Sequence, residues 1–108
     1  MGAVADAAAI GALLASAREE FARRLPARIA EIADWIGQDA WSDAARAAHK
    51  LRGSASTYGF SEVGGAAAAL EEELRAMKET ADGATRERLA SLLEEGRDQA
   101  ERACKSER

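Results

Sequence analysis

Alanine fills twenty-eight of the 108 positions, and that choice narrows what the chain can build. Alanine is the strongest helix former, and leucine, glutamate and arginine, also abundant here, follow it closely. Two valines, four isoleucines and three threonines are too few β-branched residues for a substantial sheet. The expected fold class is therefore all-α. With alanine set aside, only twenty-three larger apolar residues remain for a core. That supply suits one domain spanning residues 1–108 and is too small for an elaborate multi-domain enzyme.

The larger apolar residues fall at helical spacing. Ile10, Leu13 and Leu14 share one face of a first segment, about Ala5 to Ala15. Ser16-Ala17-Arg18-Glu19 has capping-box spacing and predicts a new helix start. The helix after it carries Phe21, Leu25, Ile29, Ile32 and Ile36 in steps of three and four, with Pro26 predicting a kink or a shifted start. Gly37-Gln38-Asp39 predicts a stop followed by an N-cap. A third helix then covers about Ala40 to Tyr58 and breaks at Gly59. Ser61 is placed to cap a fourth, with Val63, Ala67, Leu70, Leu74 and Met77 on its inner face. Thr80 to Ala84, with Asp82-Gly83, predicts a turn, and a last helix carries Leu89, Leu92, Leu93, Gly96 and Ala100. Short connections favour antiparallel neighbours, so the expected architecture is an up-and-down antiparallel four-helix bundle with an additional N-terminal helix.

Much chemistry is excluded at once. No apolar run approaches the roughly 18 residues of a membrane span, and no signal peptide is visible. A net charge of −4, from 15 basic and 19 acidic residues, lacks the basic footprint that nucleic-acid binding needs. The single cysteine, Cys104, allows no intramolecular disulfide, which agrees with a cytoplasmic location. One histidine and one distant cysteine cannot furnish a zinc site, nor the Glu-x-x-His pairs of a di-metal bundle. Gly64-Gly65 lacks the strand and the Gly-Lys-Ser/Thr of a phosphate loop, and fits close helix contact better. Glu71-Glu72-Glu73 reads as the solvated side of an amphipathic helix. Trp35 and Trp41, either side of a turn, read as packing residues.

One stretch stands apart: Ala48-His49-Lys50-Leu51-Arg52-Gly53-Ser54-Ala55. On a wheel of about 100° per residue, Trp41, Ala44, Ala48, Leu51, Ala55 and Tyr58 gather on the core side. His49 then points outward, about 120° from the middle of that face. Ser42, Ala45, Gly53 and Ser56 surround it with small side chains, while Arg46 and Arg52 bracket it one turn away on either side. Lys50 adds a third cation. A floor of small residues lets another protein reach the ring, and the cations favour an uncharged, nucleophilic imidazole. A phosphoryl group carried there holds about two negative charges, which arginine can grip through its planar fork. Gly53 costs about 1 kcal/mol relative to alanine inside a helix. In so alanine-rich a chain, that cost points to the close approach of a partner.

His49-Lys50-Leu51-Arg52-Gly53-Ser54-Ala55, followed by Tyr58-Gly59-Phe60, resembles the signature of histidine-containing phosphotransfer (HPt) domains. Phe21 to Pro26 resembles the family's Phe-x-x-x-Leu-Pro segment, and Ala69-Leu70-Glu71 resembles its Leu-Glu motif. The resemblance spans about residues 17–102 and implies that His49 is the phosphoacceptor of a phosphorelay intermediate. It implies acceptance from a receiver-domain aspartyl phosphate and delivery to another receiver. Arg52, where the family usually has Lys, and Gly53 and Lys50 are then the phosphate-stabilising positions. Arg for Lys keeps the charge but changes reach and geometry.

The implied partners are response-regulator receiver domains and a hybrid sensor histidine kinase, with docking through Ser42, Ala45, Arg46 and Ser56. No cofactor of its own is expected, since Mg²⁺ would come with the receiver, and no intrinsic kinase or ATPase activity is expected. A monomer is expected. Met1 and the charged tail favour a free-standing protein. The alternative is a non-catalytic bundle that binds a receiver or kinase without phosphate exchange. Sequence does not name the cognate kinase and receiver, the direction of phosphate flow or the pathway output.

Overall fold

Apolar steps of three and four, in a chain with almost nothing to interrupt a helix, give four helices in a computed structural model of the protein. The structure describes residues 2–77 and 82–106, with side chains from residue 7 onward. Helix α1 is Gly2–Gly37, α2 is Trp41–Tyr58, α3 is Ser61–Arg75 and α4 is Gly83–Ser106. No strand occurs among the described residues.

The beginning of the chain departs from expectation. The capping-box spacing at Ser16 starts nothing, because α1 runs unbroken from Gly2 to Gly37. A cap requires a residue with non-helical backbone, and the alanines and leucines before Ser16 are themselves strong helix formers. The separate N-terminal helix is therefore the first part of α1. Pro26 lies inside this helix rather than at its start.

The remaining boundaries fall close to their expected places, but by different devices. Asp39 does not cap α2. It takes a positive φ of 57°, the left-handed conformation that Asp tolerates better than most residues, and Ala40 precedes the helix without a side-chain cap. Gly59 ends α2 as expected, at φ 78°. There the Phe60 N–H donates to the Ala55 carbonyl at 2.8 Å, closing carbonyls the helix leaves open. Ser61 is the first residue of α3, and Phe60 before it offers no side-chain cap. At α4, the Asp82 carboxylate accepts the Thr85 N–H at 2.8 Å, satisfying a free donor of the first turn. The expected turn lies in part, at residues 80–81, outside the described residues.

Each helix packs on two others in a closed cycle: α1 against α2 and α4, and α3 against α2 and α4. Leu25, Ile29 and Ile32 from α1, Leu51 from α2, Leu70 and Leu74 from α3 and Leu89 from α4 are all buried. Each such side chain contributes about 1.5–3 kcal/mol of hydrophobic stabilisation. Alanines let the helices approach, with Ala44, Ala48, Ala55, Ala67 and Ala100 fully buried. Small residues act likewise at Gly64, whose added Cβ would meet Ala55 Cβ at 3.7 Å across the α2–α3 contact.

Aromatic residues lock the end where α2 turns into α3. Phe21 stacks on Tyr58 with ring centroids 4.8 Å apart, and Arg18 lies over the Phe60 ring at 4.1 Å while donating to the Tyr58 carbonyl. At the opposite end, Trp35 and Trp41 are half-buried against the core, in keeping with a packing role. Arg86 reaches from α4 to Asp39 at 3.2 Å. α2 is thereby held at both ends, and its outer face is presented on a fixed platform.

Candidate functional site

The platform sets the direction of every side chain around His49. Ala44, Ala45, Ala48, Leu51 and Ala55 turn α2 inward, so the 3.6-residue period turns His49 outward, with 63% of its side chain exposed. Arg46, Lys50, Arg52, Gly53, Ser42 and Ser56 are exposed as well. Ala45 is not: it is 4% exposed, and its methyl belongs to the core rather than to a docking surface. The wheel had placed it beside His49, at the edge of the inward face, where the approach of a neighbouring helix covers it.

The central finding concerns Glu71 of α3. This carboxylate is 6% exposed, so the Glu71-Glu72-Glu73 run is not wholly a solvated surface. Glu72 is exposed, Glu73 half-buried and Glu71 buried. Glu71 Oε2 lies 2.9 Å from His49 Nδ1 and accepts from Arg75 Nε at 2.7 Å. Its other oxygen, Oε1, accepts from Arg52 Nη1 at 3.2 Å. Burial pushes the carboxyl upward in pKa, but hydrogen bonds from Arg75, Arg52 and His49 outweigh it and hold Glu71 below the ordinary carboxylate range. Glu71 is therefore ionised at neutral pH and can only accept.

That fixes the ring. Nδ1 faces an acceptor-only group, so Nδ1 carries the proton. In the neutral ring the lone pair is then on Nε2, the nitrogen remote from Glu71. A nucleophilic nitrogen on an exposed ring, backed by a buried carboxylate and two guanidiniums, can receive an electrophilic group that brings negative charge. The reading from sequence had only the cations and lacked the carboxylate.

The cations divide into two sets. Arg52 joins His49 through Glu71, as does Arg75, which sequence reasoning did not single out. Arg46 and Lys50 instead line a groove between α1 and α2 with Arg28, Glu31, Trp35 and Asp43, and Arg46 is 3.5 Å from Asp43. Ser56 lines a second groove with Arg52, Phe60, Ser61 and Gly64. A Cβ on Gly53 would meet nothing within 4 Å. Nothing inside this chain demands glycine there, and the surface beside His49 is open.

A wheel of α3 carries the signal that finds Glu71. The apolar stripe is Val63, Ala67, Leu70 and Leu74, and at about 100° per residue Glu71 stands only about 70° from its middle, whereas Glu72 lies opposite. Arg75, one turn beyond Glu71, shares its edge. Which neighbour that edge meets depends on how α3 sits on α2.

A family model for the Hpt domain matches residues 16–102, most of the chain and all of the site. The chain belongs to the Hpt domain family. Membership means histidine-containing phosphotransfer in two-component signalling, where such domains work with receiver domains and kinases. No curated protein and no solved structure matches the chain. Among the described residues, no helix is long and apolar enough to cross a membrane.

Proposed function

We propose that this protein is a phosphorelay intermediate in which His49 Nε2 accepts a phosphoryl group from a receiver-domain aspartyl phosphate and passes it to another receiver. The observation that carries this reading is the His49 Nδ1–Glu71 contact at 2.9 Å, which leaves Nε2 as the free nucleophile. In the forward step the Nε2 lone pair forms the P–N bond while the P–O bond to the aspartate breaks, and the aspartate leaves as carboxylate. The ring becomes positively charged, with its Nδ1 proton retained against Glu71. Delivery to a second receiver reverses these changes.

Arg52 and Arg75 are the groups positioned to hold the phosphoryl oxygens, each reaching round from Glu71 on a side chain more than half exposed. Lys50, on the α1 side, contributes charge rather than a direct grip. Gly53 leaves room for the incoming group. Receiver docking uses Ser42, Arg46 and Ser56 around the ring, and a hybrid sensor histidine kinase feeds the relay. The protein carries no cofactor of its own, and the receiver supplies Mg²⁺ and most of the transfer apparatus, since phosphoryl transfer is largely positioning and electrostatics. It neither binds nor hydrolyses ATP, and it works in the cytoplasm.

The four helices form an up-and-down antiparallel bundle. This is supported by connections of three residues between α1 and α2 and two between α2 and α3, too short to return a helix to its starting end.

The test is the site of the phosphoryl group within the ring. After incubation with phosphorylated receiver, nuclear magnetic resonance of the phosphorylated protein is expected to show the Nε2 isomer. Phosphorylation at Nδ1 would contradict the orientation set by Glu71.

A further inference from the structure

Residues 7–16 of α1 are all exposed, so this part of the helix stands clear of the bundle. At about 1.5 Å per residue it projects roughly 15 Å, part of the reason the molecule is 62 Å long but only 23 by 19 Å across. Ile10, Leu13 and Leu14, the exposed large hydrophobic residues among those described, all stand on it, at 56%, 69% and 61% exposure. Not one of the eleven residues from Ala7 to Ala17 is charged, in a chain of net charge −4. A free helical surface normally carries charge, and this one carries none.

The spacing is that of a helix seam. Ala7, Ile10, Leu14, Ala17 and Phe21 follow at steps of three, four, three and four, the alternation of heptad a and d positions, with Leu13 flanking Leu14. Phe21 is 8% exposed and begins the core stripe that continues through Leu25, Ile29 and Ile32. The projecting seam is thus continuous with the apolar contact that already holds the bundle together.

We infer that this seam is a self-association surface and that its occupant is the same segment of a second copy. A seam of alternating three and four steps is matched by another of the same repeat. An uncharged segment also meets its own copy without the like-charge repulsion that a −4 chain presents elsewhere. The arrangement is antiparallel. Seam and bundle lie on the same side of α1, because Phe21 belongs to both, so parallel partners would bring two bundles to the same place. In the antiparallel pair the two-fold axis lies between Ile10 and Gly11, so Leu13 and Leu14 pack over the partner's Ala8 and Ala7. Large side chains then meet small ones. Contact of two such short segments falls below the roughly 1,200 Å² of a standard stable interface, so the dimer is weak and reversible. The monomer expected from sequence is then the dilute form. His49, nine residues before the end of α2 that contacts Phe21, remains open in both states. The inference does not rest on the phosphorelay reading.

Sedimentation equilibrium of the full chain tests it. The weight-average mass is expected to rise with concentration from 11.4 kDa toward about twice that value at several hundred micromolar, as befits a small interface. Leu13→Glu and Leu14→Glu place helix-compatible charges on exposed positions. Each is expected to weaken association at least about tenfold, a change of about 1.4 kcal/mol, with unchanged helical content. Ile10→Cys in a Cys104→Ser background is expected to give a disulfide-linked dimer on mild oxidation. A parent chain that stays at 11.4 kDa throughout would overturn the inference. So would association that survives Leu14→Glu, or a segment that binds lipid vesicles while the protein remains monomeric.

Discussion

His49 on α2 and Glu71 on α3 are 22 residues apart in sequence, yet Nδ1 of one lies 2.9 Å from Oε2 of the other. The imidazole is mostly exposed and the carboxylate almost wholly covered. Glu71 can therefore act on the ring from beneath while leaving its outer nitrogen to a partner. Because Arg52 and Arg75 hold the same carboxylate, one buried charge organises the nucleophile and the two cations nearest to it.

Glu71→Gln keeps the shape of this arrangement and removes its charge. The amide no longer favours the Nδ1–H ring as a carboxylate does, nor balances the positive ring formed on phosphorylation. Transfer to His49 is expected to slow by about tenfold, a barrier change of about 1.4 kcal/mol, in a rapid-quench assay with phosphorylated receiver. An unchanged rate would remove Glu71 from the chemistry.

Acid should reveal the same clamp through stability. The Glu71 pKa is lowered from its ordinary value of 4.5 in the folded protein. Its contribution is therefore fully present above that value and is lost as pH falls through the lowered folded-state value. Denaturant midpoints measured from pH 7 to about pH 3 should fall more steeply in the parent than in Glu71→Gln. Glu20 and Asp82, also lowered, titrate in both proteins, so the difference between the two curves isolates Glu71.

Gly53 separates stability from function. Added Cβ atoms meet open space there, and alanine is the better helix residue by about 0.8–1.0 kcal/mol. Gly53→Ala should raise the midpoint of thermal unfolding by several degrees, following the roughly 4–8 °C per kcal/mol typical of small domains, while slowing transfer from the receiver. A fall in Tm would mean that the glycine meets a constraint within the chain.

Gly96 should respond in the opposite way. A Cβ there comes within 3.2 Å of Ile29 Cδ1, and Ile29 is fully buried, so a packed core side chain must shift to admit the methyl. Gly96→Ala is expected to destabilise by up to about 2 kcal/mol, the usual overpacking cost of about 1–3 kcal/mol less the about 1 kcal/mol that alanine gains in a helix, measured by chemical denaturation with the Gly53 variant as the counterpart.

The contrast between these residues shows how far the sequence could be read. Helices, core stripe and the outward direction of His49 depend on periodicity within one helix, which the alternation of alanine and leucine records plainly. Gly59 was legible because a break needs a residue tolerant of positive φ. Ser16 misled because capping-box spacing is local, while helix continuation depends on what stands before it. Glu71 was missed because its role lies between helices. Its own helix shows that it borders the apolar stripe, but not that the border faces His49. Ala45 failed for the same reason in reverse, since a neighbouring helix covers a position that one wheel leaves at the edge.

The most direct test of the account follows the label itself. Phosphorylated receiver, incubated with the parent protein and with His49→Gln, should transfer an acid-labile phosphoryl group to the parent and none to the variant, with both proteins equally helical. Equal labelling of His49→Gln, or an acid-stable label on the parent, would contradict the assignment of His49 as the phosphoryl carrier.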